Sequence, residues 1–214
     1  MTFEQTDSII FDMDGTLWDA VDSYTEIWNR SSKDMGLDRV ITNDDLIDQM
    51  GKPIAGIVME LYGSSPNFDL DRYIHLLEHY ENTLMPVLGG ITYPNMQSGI
   101  KQLSEKYKIF LISNCAERGL DMFMDYTGIR EYITDSLTYG QTQAVKSINI
   151  KRLIDQYGLK NALYVGDTQG DCNETHRAGI PFVFASYGFG KCEDYEIAFD
   201  SFEQLSEYFL QLKK

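Results

Sequence analysis

The chain is poor in positive charge. Its 214 residues carry 18 lysines and arginines against 33 aspartates and glutamates, a formal net charge of −15. That balance argues against a nucleic-acid backbone or an anionic membrane surface as partner. It leaves room for an anionic small molecule, because a bound cation inverts the local field. Long apolar runs are also missing, and no stretch approaches the roughly 18 residues that a membrane helix needs. Residues 1–8 hold no basic region followed by an apolar run, so no signal peptide is expected and a cytoplasmic location is the default. Cysteine is scarce and odd in number. Cys115, Cys172 and Cys192 are scattered and never form a C-x-x-C pair, which fits reduced thiols and gives no zinc signature. Internal repeats and low-complexity tracts are absent. What is present is a 43% hydrophobic composition, suited to one large domain or a domain with a modest insertion.

The apolar pattern changes character along the chain. After a strand signal at 8–11, helical spacing dominates from Trp18 to about Leu84. Val21, Tyr24, Ile27 and Trp28 form one stripe. Leu46, Ile47 and Met50 suggest a second helix capped by Asn43 or Thr42. Ile54, Ile57, Val58 and Leu61 suggest a third, with Pro53 in its first turn. Tyr73, Leu76, Leu77, Tyr80 and Leu84 suggest a fourth. After Pro86 strands and helices alternate. Strands are expected at 108–113, within 131–137, and at 162–167 and 181–186. Helices are expected at 96–107, 120–126, 148–157 and 201–212, with a short one ending at 175–178. Gly128, Gly158 and Gly179 serve as stops, and Ser201 with Gln204 forms a capping box. This alternation implies right-handed βαβ units. The expected fold is α/β: a doubly wound, Rossmann-like parallel sheet built from 1–17 and 85–214, with a four-helix cap inserted at 18–84.

In such sheets ligands bind beyond the carboxyl ends of the strands. Asp12 and Asp14 follow the first strand, and Ser113 and Asn114 close the second. Lys146 lies beyond the third, and Asp167 and Asp171 follow the fourth. Taken singly, each is an ordinary turn former, cap or surface lysine. Together they make a chemical set. Converging carboxylates are unstable unless protonated or holding a cation. Oxygen-rich clusters of this kind suit Mg²⁺, which keeps several waters and accepts phosphate oxygens. A hydroxyl and a lysine complete a clamp for a phosphoryl group. One carboxylate is then free to attack phosphorus, and another can move a proton.

"FDMDGTLWD" resembles the first motif, D-x-D-G-T, of the haloacid dehalogenase superfamily. "LISN" looks like its second motif, Lys146 its third and "VGDTQGD" its fourth, in matching order and spacing. "AGIPFVFASYGFG" resembles the stretch that follows. The resemblance covers nearly the whole chain, including the inserted helical cap, and is nearest to the phosphoglycolate phosphatase-like branch. It implies that Asp12 is the nucleophile and Asp14 the general acid/base. It implies Mg²⁺ held by a carboxylate oxygen of Asp12, the backbone carbonyl of Asp14 and the carboxylate of Asp167, with Asp171 a ligand or an outer partner. Ser113, the Asn114 backbone and Lys146 would bind the phosphoryl group. Gly15 would permit the tight turn, and Thr16 would help to fix that loop. Asp14 points to phosphate-ester chemistry, because the dehalogenase and phosphonate-cleaving branches lack an acid there.

Two features depart from the branch. No proline follows Lys146 in "VKSINIKRL", which makes Lys151 a rival, although Lys146 stands just before the helical pattern. The preceding "YGQTQAV" is unusual. Within the cap, "GKP" at 51–53 offers Lys52 as a substrate contact. His75 and His79 are spaced i, i+4 but have no evident third ligand, and read as an exposed helix face. Cys115 and Cys172 read as buried fillers, and Trp18, Tyr24 and Trp28 as cap or hinge packing.

The expected activity is Mg²⁺-dependent hydrolysis of small phosphorylated metabolites through an aspartyl-phosphate. The chain would act as a monomer or weak dimer, with no nucleic acid or membrane partner. A phosphosugar mutase shares all four motifs and remains an alternative. A phosphoacceptor signalling domain fits less well, because its modified aspartate follows a later strand than its acidic pair. An EF-hand is excluded, since positions five and six from Asp12 are Thr16 and Leu17.

Overall fold

β1 (Ser8–Phe11) is buried along its whole length, and its neighbours explain why. In this computed structural model, which describes residues 3–212, β1 pairs in parallel with a strand on each side. A strand covered on both faces reads as a continuous apolar run, here "SIIF". Ile9 and Phe11 face one core, with Leu111, Val165 and Phe202. Ile10 faces the other, with Phe110, Ile112 and Tyr164.

After β1 the chain forms β2 (Trp18–Asp19) and four helices: α1 (Val21–Asp34), α2 (Asn43–Ile47), α3 (Ile54–Tyr62) and α4 (Leu70–Leu88). It returns through β3 (Ile91–Thr92), which pairs antiparallel with β2 and ties the outgoing and incoming chain together. The helices pack on a buried hydroxyl network. Ser32 Oγ lies 2.5 Å from the Tyr62 hydroxyl and 2.9 Å from that of Tyr73.

The remainder alternates: α5 (Met96–Ser104), β4 (Lys108–Ser113), α6 (Gly119–Thr127), β5 (Asp135–Thr138), α7 (Tyr139–Thr142), α8 (Lys146–Tyr157), β6 (Ala162–Gly166), α9 (Gln169–Ala178), β7 (Phe182–Ala185), β8 (Ile197–Phe199) and α10 (Phe202–Gln211). The sheet order is β5-β4-β1-β6-β7-β8, with every pairing parallel. The chain therefore reverses direction of travel beside β1, which places a ligand crevice at the carboxyl ends of β1, β4 and β6. No helix among the described residues is long and apolar enough to cross a membrane.

Several expectations shift in detail. α4 runs through Pro86 to Leu88 rather than stopping near Leu84. In the last turn a proline ring forfeits only one helical hydrogen bond, and Gly89, at φ +62°, ends the helix. Pro53 is the N-cap of α3 rather than a first-turn residue. β5 starts at Asp135 because Arg130–Tyr132 form a 3₁₀ turn. α9 ends at Ala178 as expected, and its start at Gln169 is set by a full capping box of Thr168 and Asp171. At α10 the box is split: Ser201 caps Gln204, but the Gln204 side chain reaches Asp200. The short strands β2, β3 and β8 carry too little pattern to be seen in sequence. The unusual "YGQTQAV" holds α7, capped by Thr138 and Gln141.

Candidate active site

The loop after β1 is held by its own backbone. Asp12 N–H extends the ladder to the Val165 carbonyl at 2.9 Å, and Leu17 N–H returns to the Met13 carbonyl at 2.9 Å. Gly15 sits at φ +77°, a conformation that glycine adopts without cost. It also has no room for a side chain, since a Cβ there would lie 2.1 Å from Asp167 Oδ2. The glycine thus lets the β6 carboxylate press against the β1 loop. Thr16 Oγ1 donates to Asp167 Oδ1 at 3.4 Å, and Phe189 N–H donates to Asp167 Oδ2 at 2.8 Å.

Lys146 opens α8 and is only 3% exposed. Its Nζ lies 2.8 Å from Asp12 Oδ1 and 2.5 Å from Asp171 Oδ1. Burial works against its charge, yet Asp12 and Asp171 hold it protonated well above the usual lysine range. The rival Lys151 is exposed on the same helix. Both oxygens of Asp171 are occupied, Oδ1 by Lys146 and Oδ2 by Thr168 Oγ1 at 2.7 Å.

The acids strain against one another. Burial pushes Asp12 up to about 6, with Lys146 opposing and Asp171 adding to the shift. Burial and the charge of Asp12 raise Asp14 to about 7, against the stabilising bond from Trp18 Nε1 at 2.9 Å. Burial, Asp171 and Asp12 hold Asp167 well above the carboxylate range. Carboxylate oxygens of Asp12, Asp167 and Asp171 all lie within 4.8 Å of one another. An all-oxygen donor set carrying this much unrelieved negative charge fits a hard divalent cation.

Ser113 ends β4, buried at the cleft, and its Oγ accepts the Cys115 N–H at 3.2 Å. Asn114 reaches the inserted helices: its Nδ2 donates to the Gly51 carbonyl at 2.7 Å. Lys52 lines the same cleft but spends its charge on Glu60 at 3.1 Å and bonds Gln49 at 2.7 Å. His75 and His79 are exposed on α4. Cys115 lines the cleft, and burial pushes its thiol upward, away from the reactive thiolate.

Two site residues escaped sequence reading. Tyr24, read as packing, lines the cleft with Asp14, and Glu81 reaches the same cleft from α4. Glu81 is only 6% exposed, and burial, Asp14 and Glu78 raise it to about 8. A signal did exist: Tyr73, Leu77, Glu81 and Met85 form the buried stripe of α4, and an acid on such a stripe is out of place.

A family model, haloacid dehalogenase-like hydrolase, matches residues 9–185. The chain belongs to that family. It is a hydrolase by this membership. Relatives described as phosphoglycolate phosphatases include one from Rhodospirillum rubrum, 25% identical over 200 residues, covering 86% of this chain and 81% of the relative. Another, from Colwellia psychrerythraea, is 24% identical and covers 96% of this chain and 97% of the relative. The fold matches the crystal structure of a predicted phosphoglycolate phosphatase of Haemophilus somnus with a TM-score of 0.84, at 20% identity over 97% of this chain and 99% of that one.

Proposed function

We propose that the chain is a phosphatase that hydrolyses phosphate monoesters of small metabolites through a covalent phosphoryl-Asp12. The observation that carries this reading is the buried Lys146 bridging Asp12 and Asp171 beside Asp167, at the mouth of the sheet. The donor set suits Mg²⁺, held by a carboxylate oxygen of Asp12, the Asp14 carbonyl and Asp167. Asp171, with both oxygens engaged, acts as the outer partner that orients Lys146. The metal would supply charge neutralisation for an entering phosphate dianion.

The side chains divide the remaining work. Lys146, the Ser113 hydroxyl and the Asn114 N–H hold the phosphoryl oxygens. An Asp12 oxygen bonds to phosphorus as the ester P–O bond breaks, and protonated Asp14 gives its proton to the leaving alcohol oxygen. Asp14, now a carboxylate, takes a proton from water, whose oxygen attacks phosphorus and frees Asp12 and inorganic phosphate. A group near 7 suits both halves of that exchange. Helices α1–α4 act as a cap hinged at the β2–β3 pair, and Gly51 closes on Asn114. Lys52 and Gly15 support the site, the first at the cap edge and the second in the loop.

Purified protein should release phosphate from p-nitrophenyl phosphate and from some members of a panel of phosphoglycolate, hexose phosphates and nucleoside monophosphates. EDTA should stop turnover and Mg²⁺ restore it. Metal-independent turnover, or none on any ester, would refute the proposal.

A further inference from the structure

Away from the acid cluster, a second group of ligating side chains gathers along α9, from Cys172 in its first turn to His176 in its last. Cys172 and His176 stand one turn apart on that helix, and the segment between β7 and β8 brings Cys192 and Asp194 over them. Cys172 Sγ, His176 Nδ1 and a carboxylate oxygen of Asp194 all lie within 4.8 Å of one another. Cys172 Sγ is 3.7 Å from His176 Nδ1, and Asp194 Oδ2 is 3.6 Å from the same nitrogen. Cys172 also faces the Asp194 carbonyl, and Cys192 lies beside Cys172, next to this three-atom cluster rather than within it.

These separations suit a tetrahedral ion. Zinc with S, N and O donors at its usual bond lengths sets neighbouring donors about 3.3–3.8 Å apart. The other ring nitrogen is committed as well. His176 Nε2 lies 3.3 Å from Glu196 Oε1, and Glu196 Oε2 accepts the Phe182 N–H at 2.7 Å. A ligating imidazole is commonly fixed by such an outer carboxylate, which sets its tautomer and aim. Two thiols and an imidazole favour zinc-class ions over Mg²⁺, so this cluster differs in kind from the oxygen-only one.

We propose that Cys172, His176, Cys192 and Asp194 bind one zinc-class divalent cation. Three of the four donors already converge, and binding would draw the neighbouring Cys192 thiol in as the fourth, displacing two thiol protons to give a Cys₂HisAsp site with Glu196 behind the imidazole. The ion would staple α9 to the segment that runs through Phe189, whose N–H positions Asp167. The cysteines are distant in sequence and outside any C-x-x-C pair, which hid the site until the fold joined them.

Cobalt titration of the reduced full chain tests this, because thiolate-to-cobalt charge transfer distinguishes the site from an all-carboxylate one. One equivalent should give near-ultraviolet charge-transfer bands with intense tetrahedral visible bands, and zinc should bleach both. Cys192→Ser and His176→Ala, each checked for native circular dichroism, should lose those bands. Glu196→Gln should weaken zinc binding by about 10- to 100-fold. Cobalt binding without charge-transfer bands, or bands unchanged in Cys192→Ser, would overturn the site. So would isolation of freshly prepared protein with Cys172 and Cys192 joined as a disulfide.

Discussion

Lys146 Nζ lies 2.8 Å from Asp12 Oδ1, and the same ammonium holds Asp171. One buried cation therefore balances two buried acids. Replacing it with Met leaves those acids uncompensated, a loss that typically costs about 3–5 kcal/mol. Lys146→Met should shift the urea midpoint accordingly and lower kcat by about 10²–10³-fold. Lys151→Met, on the exposed side of α8, should change stability by no more than about 0.5 kcal/mol and leave turnover intact. The reverse pattern would hand the phosphate-binding role to Lys151.

Gly15→Ala should damage the site more than the fold. An alanine at φ +77° costs about 1–2 kcal/mol. Its Cβ would also fall 2.1 Å from Asp167 Oδ2 and drive that carboxylate away. The Mg²⁺ concentration giving half-maximal activity should rise strongly in the variant. An unchanged metal requirement would show that Asp167 is not placed by this glycine.

The buried acids make stability fall with rising pH in metal-free protein. Folded values of about 6 for Asp12, 7 for Asp14 and 8 for Glu81 exceed the unfolded carboxylate range. The folded state then binds more protons than the unfolded one. Their stabilising contribution is complete below about pH 4 and is lost as pH climbs to about 8. Melting temperature in EDTA should therefore decline across that window, and Mg²⁺ should flatten the decline. A rise in EDTA would contradict the burial of these acids.

Much of this site was legible because strand ends and capping residues are local. The run from Ile9 to Phe11 announced a strand, and Asp12, Asp14, Ser113, Lys146 and Asp167 all fall at or near the ends of core elements. What escaped depends on contacts between distant segments. The α4 stripe hinted at Glu81, but its place in the site shows only when the fold sets it in the cleft with Asp14. The β2–β3 pair is two residues per strand, too short for any periodicity. Asn114 gained a second role only when the loop at Gly51 arrived above it.

Glu81 should also shape substrate choice. The cleft holds two cations: Lys146 serves Asp12 and Asp171, and Lys52 serves Glu60. A leaving group bearing a carboxylate would meet Asp14 and Glu81. Above about pH 8, where values of about 7 for Asp14 and 8 for Glu81 leave both charged, wild type should prefer esters with uncharged leaving groups over phosphoglycolate. At that pH Glu81→Gln should move the ratio of kcat/KM values toward phosphoglycolate by about tenfold, or 1.4 kcal/mol. An unmoved ratio would place the leaving group elsewhere in the cleft.

The central claim is that Asp12 carries the phosphoryl group. Turnover should be quenched in acid during steady state, the protein treated with borohydride, and its peptides read by mass spectrometry. An acyl phosphate is reduced there to an alcohol, so the peptide containing Asp12 should gain homoserine at that position, and only when substrate and Mg²⁺ were present. Active enzyme with no reduction at Asp12, or with reduction at Asp14 instead, would contradict the account.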